Sequence, residues 1–108
     1  MSRRANQVFS ALADPTRRQI LEWFDGAGAA TATELTSRLP MSRQAITKHL
    51  KELERAGLVS SVREGRETRY SGTGQGLDEA AGWLAERSAA WGVRLSRLAE
   101  ASEDDPSS

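Results

Sequence analysis

Hydrophobic residues recur at helical spacing in the middle of the chain, where they define its clearest element. Ile46, Leu50 and Leu53 stand four and three positions apart, so they share one face of a helix. Ser42 precedes this face as a good N-cap, and Gly57 follows it as the residue that most easily adopts the left-handed conformation after a last turn. The pattern predicts a helix over residues 43–56 with one side buried.

The other side of this helix is polar and cationic, and its residues are Arg43, Gln44, Thr47, Lys48 and Lys51. Lys and Arg neutralise DNA phosphates or bind guanine edges, Gln can pair with adenine, and a Thr methyl can contact the thymine methyl. A solvated helix face often has the same composition, and without further context that is the plainer interpretation. The elements on either side of the helix therefore decide between the two.

Two helices are predicted nearer the N-terminus. The first covers residues 4–13, and the step from Asp14 to Pro15 ends it because a residue before proline avoids helical geometry. Asp14 can then cap the second helix, whose first position suits Pro15. The first helix has an apolar side formed by Val8, Phe9 and Leu12.

A third helix is expected directly before the central one. Thr31 and Glu34 have the spacing of a capping box, small residues 29–33 allow a very short strand, and the helix should end at Leu39. Two residues then separate it from the Ser42 cap. Two helices joined so closely form a helix-turn-helix, in which the first helix holds the second against the DNA major groove.

After the central helix the hydrophobic period changes from helical to alternating. Residues 58–63 and 67–71 alternate, and Gly65 lies between them at a hairpin tip. A hairpin that follows a helix-turn-helix is a wing, and arginines along it suit phosphates or a narrow minor groove. The alternative is a plain hairpin whose arginines are solvated beside Glu64 and Glu67. These arginines are Arg63, Arg66 and Arg69.

A long last helix is predicted over residues 77–101, after a glycine-rich break. Its apolar seam repeats in steps of four and three and consists of Leu77, Ala81, Leu84, Ser88, Trp91, Leu95 and Leu98. So small a core cannot cover the whole seam, although coverage by its own domain is the simpler alternative. We therefore expect the same helix of a second copy to cover it, joined by Val8, Phe9 and Leu12.

The composition limits the function further. The 108 residues fit one domain, expected over residues 1–101, with a flexible acidic and serine-rich tail over residues 102–108. There is no cysteine, which excludes disulfides, thiol nucleophiles and thiolate metal sites. No apolar run approaches the roughly 20 residues that cross a membrane, and the N-terminus lacks a secretory signal, so a cytoplasmic protein is expected.

The formal net charge of zero conceals an uneven distribution. Residues 41–71 hold seven Lys or Arg against four Glu, whereas residues 72–108 hold three Arg against seven acids. The helix-turn-helix and the wing are therefore basic, and the last helix and tail are acidic. This asymmetry is compatible with a DNA-binding domain despite the balanced sum.

Three segments together resemble a known family: ALADPTRRQIL in the second helix, ATATELTSRLPMSRQAITKHLKELERAGLV through the helix-turn-helix, and REGRETRYS in the wing. They are similar to ArsR/SmtB-type winged helix-turn-helix transcriptional regulators, and the resemblance covers residues 7–98. It implies a mainly α fold with a small β-hairpin wing, about five helices, two to three short strands and a helical dimer interface. It also implies a homodimer that places two recognition helices in successive major grooves of an inverted-repeat operator, usually as a repressor and often at its own promoter.

The resemblance also bears on metal control. Metal-sensing members carry a cysteine pair in the helix that here covers residues 32–39, or His and acidic ligands on the last helix. This chain has Thr33 and Thr36 in the first place and no histidine in the second, so it resembles the non-metal branch, in which effectors vary. The lone His49 would need carboxylates alone as fellow ligands, so neither a metal site nor a cofactor is expected.

The sequence therefore predicts a sequence-specific, homodimeric transcriptional regulator without catalytic residues, which binds double-stranded DNA at a pseudo-palindromic operator. One alternative is a winged-helix protein-interaction module without DNA binding, which the zero net charge favours. Another is a repressor that is released by a small apolar ligand near the tryptophans. The expected DNA contacts are Ser42, Arg43, Gln44, Thr47, Lys48, Lys51, Arg63, Arg66 and Arg69.

Overall fold

The computed structural model describes residues 1–103 and contains five helices and a three-stranded antiparallel sheet. The helices are α1 (Arg3–Leu12), α2 (Pro15–Asp25), α3 (Ala32–Leu35), α4 (Arg43–Arg55) and α5 (Gln75–Glu103). The strands are β1 (Ala30–Thr31), β2 (Val59–Glu64) and β3 (Glu67–Gly72), in the spatial order β1-β3-β2. The mainly α fold with a small hairpin wing is therefore confirmed.

The corner between α1 and α2 is held by hydrogen bonds from two side chains. Asp14 accepts from the backbone amide of Thr16 at 2.7 Å, and this bond holds the pKa of the Asp14 carboxyl below its usual value. Arg17 Nε donates to the carbonyl oxygen of Ala11 at 2.6 Å, near the C-terminal end of α1. The N-cap of one helix and the last turn of the other are thus satisfied together.

The core is centred on α4. Ile46, Leu50 and Leu53 have no exposed surface, as the helical spacing predicted. Val8 is also fully buried in this core, so its side chain packs within its own domain and has no exposed surface for a second copy. A fully buried residue at helical spacing on α1 packs against its own domain first.

Helix α3 is shorter than expected. It ends at Leu35, whereas the sequence predicted a helix as far as Leu39. The hydroxyls of Thr36 and Ser37 donate to backbone carbonyls in α3, and such local bonds compete with a regular helix. Leu39 nevertheless stays buried, because its backbone amide donates to the carbonyl of Leu35 at 3.1 Å in a final turn.

The wing is a tight hairpin. Glu64 pairs with Glu67, so only two residues, Gly65 and Arg66, form the turn. Gly65 has a φ of 62°, and it occupies the first central position, where a type II′ hairpin turn requires glycine. Arg66 is the second central residue of this turn, so the defined backbone conformation of the turn places it away from the core.

Helix α5 projects beyond the rest of the domain. Its 29 residues span roughly 44 Å at 1.5 Å per residue, and the described molecule is 73 Å long but only 26 by 21 Å across. Gly76 and Ala80 are buried, and the ring of Trp83 lies edge-on to Phe9 with centroids 5.7 Å apart. From Leu84 to Ala101 every residue is exposed.

The end of α5 differs slightly from the expectation. The helix continues to Glu103, whereas the sequence predicted an end at Ala101 and a tail over residues 102–108. The rest of that predicted tail, residues 104–108, lies outside the described residues.

The first turn of α5 rests directly on the end of α4. The backbone amide of Gly76 donates to the carbonyl oxygen of Gly57 at 3.2 Å. A Cβ at position 76 would lie 2.6 Å from the carbonyl oxygen of Ala56, which is closer than real Cβ atoms approach backbone. This glycine is therefore required for the contact between the two helices.

The Gly76→Ala substitution should lower the free energy of unfolding by about 1–3 kcal/mol, the usual cost of an extra methyl group in a packed site. The matched substitution is Gly82→Ala on the same helix, where a Cβ meets nothing within 4 Å. This control should raise stability by up to about 1 kcal/mol, because alanine is the better helix former. Urea unfolding followed by circular dichroism at equal protein concentration measures both, and equal stability of the two variants would contradict the packing argument.

Candidate nucleic-acid interface

Helix α4 is oriented by its cap and its buried face. Ser42 Oγ accepts from the backbone amide of Ala45 at 3.1 Å, which satisfies an amide of the first turn. Since the apolar side of α4 lies in the core, its polar side faces outward. On that side Thr47 is half-buried, and the exposed residues are Arg43, Gln44, Lys48 and Lys51.

A groove of about 380 Å³ separates α4 from the wing, and we call it the α4–wing groove. Four of the predicted residues on α4 line one side, namely Arg43, Gln44, Thr47 and Lys51. The wing side is formed by Arg66, Glu67 and Thr68, and residues 31–33 and Tyr70 complete the lining. The structure thus brings five of the nine predicted DNA contacts together around one open groove.

The remaining predicted contacts lie outside the lining of this groove. Ser42 and Lys48 are exposed on α4, and Arg63 is exposed on β2. Arg63 Nε donates to the carbonyl oxygen of Gly65 at 3.0 Å, across the hairpin turn. These three side chains are exposed but do not line the α4–wing groove.

Arg69 differs from the other wing arginines because carboxylates occupy its guanidinium. Its Nε lies 3.0 Å from Glu64 and its Nη1 lies 3.3 Å from Glu34. The hydrogen bond with Glu64 and the charge of Glu34 raise the pKa of Arg69 above its usual value. Arg69 is therefore not the free cation that the sequence suggested.

The order of residues in β3 explains this difference. Side chains alternate between the two faces of a strand, so Thr68 and Tyr70 point to one face and Arg69 to the other. Thr68 and Tyr70 line the α4–wing groove, and Arg69 does not. The same alternation in the sequence distinguishes Arg69 from the groove residues, but the prediction used only its charge.

Six residues of the groove lining were not among the predicted contacts, and they are Thr31, Ala32, Thr33, Glu67, Thr68 and Tyr70. Thr33 had been considered only as a replacement for a metal-binding cysteine, and Thr68 is small and neutral. Glu67 places a carboxylate among the cations of the groove. Charge and helical spacing find the residues on α4, but neither signal identifies loop and strand residues that approach α4 only after folding.

The end of α4 is tied to the wing. The Ser61 hydroxyl on β2 donates to the carboxylate of Glu54 in the last turn of α4. Burial raises the pKa of the Tyr70 hydroxyl beside them, and the charge of Glu54 acts in the same direction. The wing and α4 therefore share direct side-chain contacts and not only the connecting loop.

The apolar seam of α5 is exposed along its length. Leu77 is the least accessible of its large residues at 37%, and Leu98 is the most accessible at 61%. Phe9 and Leu12 on α1 are half-buried and pack against the core. The remaining members of the seam are also exposed, and they are Ala81, Leu84, Ser88, Trp91 and Leu95.

The tryptophans do not surround a large cavity. Arg94 places its guanidinium carbon 5.0 Å from the ring centroid of Trp91. The pocket beside this ring has about 140 Å³, and ligand sites usually have at least about 300 Å³. The ring of Trp83 packs edge-on against Phe9, and the guanidinium carbon of Arg87 lies 5.2 Å from the centroid of the Trp83 ring.

Across residues 1–103, His, Cys, Asp and Glu side chains form no group of three that could hold a metal ion. Within the same residues, no helix combines the length and apolar character needed to span a bilayer.

Comparison with known proteins identifies similar sequences and structures. A family model described as a helix-turn-helix domain matches residues 12–62. The transcriptional repressor SdpR of Bacillus subtilis is 35% identical over 79 residues, which cover 73% of this chain and 87% of that protein. The arsenic resistance transcriptional regulator ArsR1 of Pseudomonas putida is 35% identical over 63 residues, which cover 58% of this chain and 49% of that protein.

A solved structure matches nearly the whole chain. It is described as an ArsR-like transcriptional regulator from Rhodococcus sp. RHA1, with a TM-score of 0.79 and 42% sequence identity. The match covers 94% of this chain and 95% of that one. The similarity therefore includes α1 and most of α5 as well as the helix-turn-helix.

The Ser42→Ala substitution should lower the free energy of unfolding by about 1 kcal/mol, because α4 loses its N-cap. The Ser42→Asp substitution keeps a side-chain acceptor at the same position and should leave stability close to that of the parent. Urea unfolding measures both. An equal loss in the two variants would show that the cap does not stabilise α4.

Proposed function

Because the chain belongs to the ArsR family of winged helix-turn-helix transcriptional regulators, we propose that it is a homodimeric repressor that binds an inverted-repeat operator. Regulators of this family bind DNA and are not enzymes. The observation that carries the proposal is the α4–wing groove, where Arg43, Gln44 and Lys51 on α4 face Arg66 on the wing. Such a surface can contact a major groove and the adjacent backbone at the same time.

Each residue on α4 has a contact suited to its chemistry. Gln44 can form two hydrogen bonds with adenine, and the methyl of Thr47 can contact thymine. Arg43 and Lys48 would bind guanine or phosphates, and Ser42 and Lys51 would bind phosphates. Arg66 and Arg63 on the wing would contact the flanking backbone. Arg69 would have a different role, because Glu34 and Glu64 already bind its guanidinium.

The second copy is proposed to cover the seam of α5. Large apolar side chains exposed in a row indicate an interface, because isolated helices of this kind gain little stability in water. The same helix of a second copy presents the same seam, so a two-fold axis would bury both at once. Phe9 and Leu12 on α1 would extend this interface, since α1 packs beside the start of α5.

We further propose that DNA binding is not controlled by a thiolate metal site, since the chain has no cysteine. Repression of its own promoter, in the cytoplasm, is part of the proposal. Footprinting on the DNA upstream of its coding region tests it, and protection of an inverted repeat is the expected result. The alternative of a protein-interaction module, which the zero net charge favours, requires that no DNA is bound even at low salt.

The Gln44→Ala substitution should weaken binding to the preferred operator by about 1–3 kcal/mol and relax the preference at one base position. The Arg66→Ala substitution should weaken binding to all sequences and reduce the slope of log affinity against log salt by about 1. Fluorescence anisotropy with operator and unrelated duplexes at several salt concentrations measures both effects.

The control for these variants is Arg97→Ala, which removes a positive charge from α5, an element that does not line the α4–wing groove. Its affinity and salt slope should equal those of the parent. If Gln44→Ala and Arg66→Ala also bind like the parent, the proposed contacts are wrong.

The Leu95→Glu substitution should convert the dimer to a monomer, because it buries a charge in the seam. Val93→Glu is the matched control, since Val93 is similarly exposed on the same helix but lies on the face opposite the seam. Sedimentation equilibrium measures the mass of each. A dimeric Leu95→Glu variant, or a monomeric parent, would contradict the proposed interface.

A further inference from the structure

Arg69 lies where three elements meet. It belongs to the central strand β3, where it stands opposite Val62 of β2 and Thr31 of β1. Its side chain is about one third exposed, at 32%. The guanidinium contacts Glu34 on α3 and Glu64 at the end of β2, and these ion pairs add side-chain contacts to the backbone pairing of β1, β3 and β2. One side chain thus forms ion pairs with both the first helix of the helix-turn-helix and the wing.

This geometry does not suit a DNA contact. Two carboxylates surround one guanidinium, so the group of three carries a net negative charge. A phosphate that approached Arg69 would meet the two carboxylates bound to its Nε and Nη1, and their charge would repel it. Arg66, two residues from β3's Thr68, is exposed and forms no ion pair among residues 1–103, so it is the better phosphate contact.

The contacts of Arg69 lie beside two parts of the lining of the α4–wing groove. Glu34 follows Thr33, which lines the groove on the side of α3, and Arg69 follows Thr68, which lines it on the side of the wing. A guanidinium can bind two carboxylates at fixed angles through its planar donors, which a lysine ammonium cannot do. Because α3 packs against α4, the ion pair between Arg69 and Glu34 constrains the position of the wing relative to the two helices.

We propose that Arg69 is a positioning residue that sets the width of the α4–wing groove for DNA, through its ion pairs with Glu34 and Glu64. This inference rests on the proposed DNA-binding function. It assigns to two acidic residues of the basic region a role in DNA binding, although neither would touch DNA.

The test is whether one substitution on α3 weakens or tightens operator binding. The Glu34→Gln substitution removes a negative charge beside the DNA surface, so simple electrostatics predicts tighter binding. The positioning role predicts operator binding about two- to five-fold weaker, the size expected for losing a partly exposed ion pair. Fluorescence anisotropy at several salt concentrations should show this loss without a change in the salt slope.

Glu67→Gln is the matched control. Glu67 also places a carboxylate at the α4–wing groove, but it forms no ion pair within the described part of the chain. Its loss should tighten binding. Tighter binding by both variants would overturn the proposal, because Glu34 would then act only through its charge.

Substitutions of Arg69 separate positioning from phosphate binding. Arg69→Gln should weaken operator binding with an unchanged salt slope, whereas loss of a phosphate contact reduces that slope by about 1. Arg69→Lys keeps the charge and should restore only part of the affinity, since an ammonium lacks the planar donors that hold both carboxylates at fixed angles. A reduced slope for Arg69→Gln, or full affinity for Arg69→Lys, would overturn the positioning role.

A measurement without DNA makes the outcome independent of the proposed function. The chain has no cysteine, so spin labels can be attached through Arg38→Cys near α3 and Arg63→Cys on the wing, where Arg63 is exposed and pairs with Thr68 and not with Arg69. Pulsed electron paramagnetic resonance should give a narrow distance distribution in the parent and a broader or shifted one with Glu34→Gln. An unchanged distribution would overturn the positioning role, whereas absence of DNA binding by the parent would overturn the proposed function alone.

Discussion

The structure depends above all on the complete burial of one side of α4. Ile46, Leu50 and Leu53 have no exposed surface, and each such side chain contributes about 1.5–3 kcal/mol when it leaves water. Rotation of α4 about its axis would expose these residues and bury charged ones instead. The outward direction of Arg43 and Gln44 is therefore fixed by the core and not by contacts of their own. A DNA-binding surface of this kind is pre-organised, because the core fixes the direction of its side chains before any ligand binds.

Much of this arrangement could be predicted from the sequence, because helical spacing and capping are local signals. The bounds of α4 to within one residue, its Ser42 cap and the place of Gly65 at the tip of the wing follow from residues that are neighbours in the chain. The sequence predicted a three-residue tip over residues 64–66, whereas the structure pairs Glu64 with Glu67 and forms a two-residue turn. Interactions between distant residues were not predictable in this way. Val8 has the spacing of an interface residue, but only the folded domain shows that α2 and α4 already surround α1. Arg69 has the charge of a DNA contact, but Glu34 lies far from it in sequence and meets it only across the sheet. The early end of α3 also depends on hydroxyl groups that the helical pattern ignored.

The balance of charges acquires a physical meaning in the folded chain. Several acids of the helix-turn-helix and the wing are engaged by partners: Glu34 and Glu64 by Arg69, and Glu54 by Ser61. The cations of α4 that line the α4–wing groove face outward, and they form no ion pair with another residue of α4. A net charge of zero is therefore compatible with a positive surface that is confined to one side of the domain. A positive surface confined in this way attracts DNA only weakly at long range. It favours binding to DNA sites whose shape and charge match the surface.

The contact between Gly76 and the end of α4 has a mechanical consequence. Backbone touches backbone at this joint, so no flexible side chain lies between the two helices to absorb a displacement. A displacement of the first turn of α5 would therefore be transmitted to the last turn of α4 with little loss. In a dimer the two α4 helices would have to match half-sites about 34 Å apart. A small change in the angle between the two α5 helices would therefore move one α4 helix out of register with its half-site. Any signal that alters how the two long helices lie against each other would thereby change operator occupancy without approaching the DNA.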